Sequence, residues 1–211
     1  MKKLFLSGCL SFFAMAGALS GAPVIGNWSF ESPDLGGSGF MYNPALGAPW
    51  AFVGSGIAEA GPGGFFVPAT PDGDQAAFIQ GSGSSISQAV SGFDIGSVYT
   101  LAFYLAKRTD GCSNCGAEIG SLSIGVKVDG VEVFTPLNVG GLTPGFHQYT
   151  SNPFVATAST LTISFEGSGP AGDRTAFVDA VTAASAVPEP GTIAMGAIGM
   201  LALVAGRRMR R

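Results

Sequence analysis

The chain has 211 residues, with 33 glycines and 13 prolines; it is 46% hydrophobic, only 11% charged and carries a formal charge of −4. That composition excludes global disorder, which needs low hydrophobicity and high charge, and it points to a turn-rich protein rather than a helical one. Between Gly21 and Val187, four basic residues (Lys107, Arg108, Lys127, Arg174) face thirteen acidic ones, a formal charge of −9. Such a body repels nucleic acid and anionic membranes, and suits divalent cations or neutral partners.

Residues 1–20 read as a signal peptide. Lys2 and Lys3 precede the apolar Leu4–Leu19, and small residues at Ala16, Ala18, Ser20 and Gly21 offer cleavage positions. The Sec machinery and signal peptidase are the partners such a segment implies; a retained anchor is the alternative. Leu6-Ser7-Gly8-Cys9 imitates a lipoprotein box, but too little hydrophobic sequence precedes Cys9.

From Val24 to about Ala184 short alternating runs are separated by Gly, Pro, Ser and Asp. Strands are predicted over Val24–Glu31, Trp50–Ala58, Gln75–Gln80 and Ser84–Ser91, then through Tyr99, Leu101, Phe103 and Leu105. Leu122, Ile124, Val126 and Val128 alternate with small or polar residues, as a half-buried strand does. Asp129-Gly130 then leads into Val131–Phe134, a strong short signal for a two-residue hairpin turn. Further strands are expected over Phe146–Thr150, through Leu161, Ile163 and Phe165, and over Ala176–Thr182. No internal repeat and no long helical period interrupts this pattern, so residues 21–186 form one all-β domain, an antiparallel β-sandwich.

Three features within the body bear on chemistry. Cys112 and Cys115 are the only cysteines left after removal of Cys9, and in an oxidising compartment they pair most simply as a short-loop disulfide. A redox pair lacks a following helix to lower a thiol pKa, and a zinc site lacks ligands beyond His147. His147, the sole histidine, is the only one a Ser-His-Asp triad could use, yet no G-x-S-x-G elbow presents a serine. Gly167–Gly172 fits G-x-G-x-x-G, but strand rather than helix follows it, so it reads as a turn.

The C-terminus, residues 187–211, has three parts: Pro188-Glu189-Pro190, an apolar run from Gly191 to Gly206, and Arg207, Arg208, Arg210 and Arg211. As a transmembrane helix the run would reach roughly 24 Å, short for a hydrocarbon core about 30 Å thick. The arginines hold the extreme end on the cytoplasmic side and leave the body outside. The prolines keep the junction extended and accessible. This arrangement resembles the PEP-CTERM sorting signal of Gram-negative bacteria. The resemblance implies transient anchoring in the inner membrane, processing by a membrane-embedded exosortase, and delivery to the cell surface or beyond, in organisms that make exopolysaccharide.

A second resemblance covers the body. Asn27-Trp28-Ser29-Phe30-Glu31, Trp50–Gly54, Asp72–Phe78, Ile86-Ser87-Gln88 and Ala176–Val181 follow one another as in galactose-binding-like jelly rolls of secreted carbohydrate-binding modules. The implied fold is an antiparallel jelly-roll β-sandwich. The resemblance also implies a structural calcium held by Glu31 and Asp179, with Asp72 or Asp74 nearby, a donor type that calcium favours. Against this, Asp72-Gly73-Asp74 also reads as a solvated turn.

Two functions follow. One is a non-catalytic, exported surface or matrix protein that binds exopolysaccharide through exposed aromatics such as Trp50 and Tyr42, although Trp50 also reads as core. The other is a polysaccharide-active enzyme on the same scaffold, for which no pair of carboxylates stands out.

Overall fold

The computed structural model describes residues 22–37, 39–44, 49–108, 122–170 and 174–186. Alternating burial sets the architecture. In β6 (Val98–Lys107) Tyr99, Leu101, Phe103 and Leu105 point inwards, and in β11 (Thr160–Ser168) Leu161, Ile163 and Phe165 do the same. Each strand therefore buries one face, and two sheets stacked face to face are needed to cover both sets.

The first sheet pairs β1 (Phe40–Tyr42), β3 (Ser55–Glu59), β4 (Gln75–Gln80), β12 (Thr175–Ser185) and β6 in that order. Beyond β6 it continues with β9 (His147–Thr150) and β10 (Phe154–Val155). The second runs β2 (Ala51–Val53), β5 (Ser85–Ser91), β11, β7 (Ser123–Val128) and β8 (Val131–Asn138). Every pairing is antiparallel. Consecutive strands repeatedly cross between sheets, as in a jelly roll. The main core between the sheets includes Ile57, Ile79, Ile86, Phe103, Leu105, Ile163 and Phe165.

Asp129-Gly130 forms the expected hairpin turn. Both residues have positive φ, 46° and 78°, and Val128 pairs directly with Val131. Among the described residues the helical content is one 3-10 turn, Val139–Gly141, and no helix is long and apolar enough to cross a membrane.

Two local expectations are corrected, and two strands are added. Residues 24–31 are not a strand. Asn27 and Phe30 take positive φ, and Gln88 and Gln75 hold this segment through their side-chain amides. The Trp50–Ala58 run is two strands in different sheets, broken at Gly54 with φ 58°. Strands β1 and β10, absent from the sequence reading, close opposite edges of the first sheet.

Candidate functional site

Two places in this frame gather chemistry-bearing side chains. The first is where the opening loop meets β4 and β12. Gln75 is buried, and its amide donates to the carbonyls of Phe30 (2.9 Å) and Pro33 (3.1 Å) while accepting from Leu35 N–H (2.7 Å). These bonds fix the loop so that the Glu31 carboxylate receives the backbone N–H groups of Asp74 (3.1 Å) and Gln75 (2.9 Å). A glycine is required beside it: a Cβ on Gly73 would lie 2.2 Å from Glu31 Cδ, and Gly73 has φ 62°.

Asp179 comes to the same place from β12. A β-bulge between Asp179 and Thr182, with Ala180 at φ 50°, shifts the register there. The Asp179 side chain is 0% exposed, accepting N–H bonds from Ala180 (2.7 Å) and, more weakly, Asp72 (3.4 Å). Burial pushes its pKa up to about 8. The two backbone bonds pull the other way, and the charges of Glu31 and Asp72 raise it further.

Glu31, Asp72 and Asp179 are therefore electrostatic neighbours. Asp74 contributes its main chain, which donates to Glu31 and accepts from Ala60 (2.8 Å), and it is itself exposed. Among the described residues no three His, Cys, Asp or Glu side chains converge as a ready metal-binding group. The charge nevertheless fits a cation: a buried carboxylate beside two others. A carboxylate has about four lone-pair sites, so two backbone bonds leave further acceptor capacity on Asp179.

The second place is the β1 edge of the first sheet. Trp50, expected as a sugar-stacking aromatic, is not there. It is 3% exposed, packs at 5.2 Å on Phe30 and 6.3 Å on Phe165, and donates its indole N–H to the Asn27 carbonyl at 3.2 Å. Its position at the mouth of β2 turns it into the core, so it cannot stack on a ligand. Tyr42 is 42% exposed. Its ring stands edge-on to Phe78 at 4.8 Å, its neighbours are Phe40 and Phe65, and its hydroxyl bonds Gln80 Oε1. Phe40 is exposed and Phe65 half-buried, and no sequence signal singles them out, since neither lies in a run with a readable period.

His147 lies half-buried on β9, its Nε2 beside the hydroxyl (3.0 Å) and carbonyl (3.1 Å) of Thr143. Its hydrogen-bond partners among the described residues thus include no serine and no carboxylate. Of Gly167–Gly172, expected as a turn, Gly167 and Ser168 close β11, and Ala171 and Gly172 lie outside the described residues; Thr175 opens β12, so strand and not helix comes next. Pro188, Glu189, Pro190, Arg207, Arg208, Cys112, Cys115 and the signal peptide lie outside the described residues.

Residues 186–211 match the PEP-CTERM protein-sorting motif. No curated protein matches the chain. Among solved structures, TmCBM61 in complex with β-1,4-galactotriose is similar at a TM-score of 0.50 and 18% identity, covering 78% of this chain and 99% of that one. The K1 cleaved adhesin domain of Lys-gingipain from Porphyromonas gingivalis W83 aligns at a TM-score of 0.48 and 11% identity, over 75% and 96% of the two chains. A carbohydrate-binding module of family 4 aligns at 0.45 and 17%, over 77% and 99%. The chain therefore joins a PEP-CTERM protein-sorting motif to a body with the jelly-roll fold of carbohydrate-binding modules.

Proposed function

We propose that this is an exported protein, freed of its signal peptide after Sec passage and of its C-terminal tail by an exosortase, that binds carbohydrate outside the cell without transforming it. The observation that carries the reading is the joining, in one chain, of the sorting motif to a jelly roll spanning 99% of a module solved with a galactotriose. The matrix polysaccharide of the producing cell is the partner this combination suits. An acidic body with few cations favours neutral polymers over anionic ones.

In the same reading Glu31 and Asp179, with Asp72 beside them, hold a structural calcium. Bound there, the ion would supply the positive charge that the buried Asp179 and its two carboxylate neighbours lack. The protein's own contribution is positional: Gln75 fixes the loop, Gly73 leaves room for Glu31, and the β12 bulge delivers Asp179.

Glycan-array binding of the full chain in mild detergent, with calcium and with EDTA, tests partner and metal together. Binding to polysaccharide without release of reducing ends, and a melting temperature lowered by EDTA, are expected. Release of reducing ends would favour the enzyme reading instead, and binding to no glycan would reject the proposal.

A further inference from the structure

The outer face of the first sheet carries a group of rings at its β1 edge. Three aromatic residues are strongly exposed among the described residues: Trp28, Phe40 and Tyr42. Two of them sit here, Phe40 at 46% and Tyr42 at 42%. They occupy alternate positions of one strand and so share a face. Phe65 completes the group from the loop between β3 and β4, its ring 4.2 Å from Phe40 at an interplanar angle of 34°.

The rings are held from behind. Phe78, fully buried, meets Tyr42 at 4.8 Å and Phe65 at 5.0 Å. Gly56 is what lets Phe78 come close: a Cβ there would lie 2.9 Å from the Phe78 ring and 2.0 Å from the Met41 carbonyl oxygen. The loop is held in an unfavourable conformation, with Phe65 and Phe66 both left-handed at φ 56° and 58°. Bulky residues adopt that region only when the surroundings impose it, and such outliers gather at functional sites. Here the strain sets the half-buried Phe65 ring against Phe40.

We propose that Phe40, Tyr42 and Phe65 form a binding site for one neutral pyranose ring of a polysaccharide, an inference that rests on the carbohydrate-binding reading and gives it a place and a ligand class. The C–H face of a pyranose is apolar and matches an aromatic face, whose area stays costly to leave in water. Phe40 and Tyr42 stand at 89° to each other, so they make a corner for one sugar rather than a flat track for several.

Charge selects a neutral ligand. Among the described residues the one cation on these rings is Arg108, whose guanidinium lies 5.0 Å from the Phe65 centroid and which is 8% exposed. It is spent on the ring and turned away from water. The −9 body repels uronates.

The test is affinity electrophoresis and titration calorimetry of the full chain in mild detergent. The probes are neutral galactan and glucan, acidic polygalacturonate and cationic chitosan. A neutral polymer is expected to bind, with Tyr42→Ala and Phe40→Ala each weakening it about tenfold or more, as loss of an aromatic anchor does. Trp28→Ala, which removes an exposed ring elsewhere on the surface, is expected to bind as the parent does. Unchanged melting of the variants certifies their fold. Undiminished binding by Phe40→Ala/Tyr42→Ala overturns the site while leaving the carbohydrate reading intact. Selection of polygalacturonate or chitosan overturns the ligand class. A dimer that the double variant dissolves makes the ledge a self-interface and overturns the proposal. Binding to none of the polymers defeats the carbohydrate reading itself.

Discussion

Asp179 concentrates the electrostatics of the fold. A carboxyl group with an ordinary pKa of 3.8 unfolded, raised to about 8 folded, holds its proton in the native state over that whole interval. The folded form then binds more protons than the unfolded one, so stability falls as pH rises. The contribution is fully present below about pH 4, declines through the window, and is gone above about pH 8. In EDTA, the melting temperature of the parent should therefore drop between pH 5 and pH 8.5 relative to Asp179→Asn, which keeps the shape and cannot ionise. Parallel melting profiles for the two proteins would show that Asp179 titrates normally. With calcium the order reverses: the parent is expected to gain stability at pH 8 and the variant to gain none.

At the scale of elements, β1 is a weakly secured edge. It is three residues long, lies at a sheet edge, and pairs only with β3. Its docking depends on Gly56, where any Cβ strikes the Met41 carbonyl. Gly56→Ala is expected to cost about 1–3 kcal/mol in a denaturant titration, the usual range for overpacking. It should also release Tyr42, seen as a change in tyrosine fluorescence. A cost near zero would mean that β1 is not held as described.

The same elements show what could be read in advance. Gln75–Gln80 and the Asp129-Gly130 hairpin were legible because alternation and turn chemistry are local. The loop around Asn27–Glu31 read as a strand because its conformation comes from Gln75 and Gln88, far along the chain. Phe40-Met41-Tyr42 was too short to show a period. Trp50 could not be assigned to core or surface without knowing into which sheet β2 goes. The resemblance paired Glu31 with Asp179, which the fold makes electrostatic neighbours; that Asp72 rather than Asp74 has the charge beside Asp179 depends on the turn at Gly73, which sequence alone leaves undetermined.

The whole molecule divides its labour along the chain. The body has a large core and an acidic surface, while basic residues cluster at the two extremities: Lys2 and Lys3 at one, four arginines at the other. In the function proposed above, the extremities carry address and the body carries recognition. The most direct measurement is to fractionate producing cells and take the intact mass of this protein from the extracellular polysaccharide. The account expects a chain shortened at both ends, lacking Lys2 and Arg211, that a neutral oligosaccharide releases from the polymer. A full-length chain retained inside the cell, or a secreted one that no sugar displaces from the matrix, would contradict it.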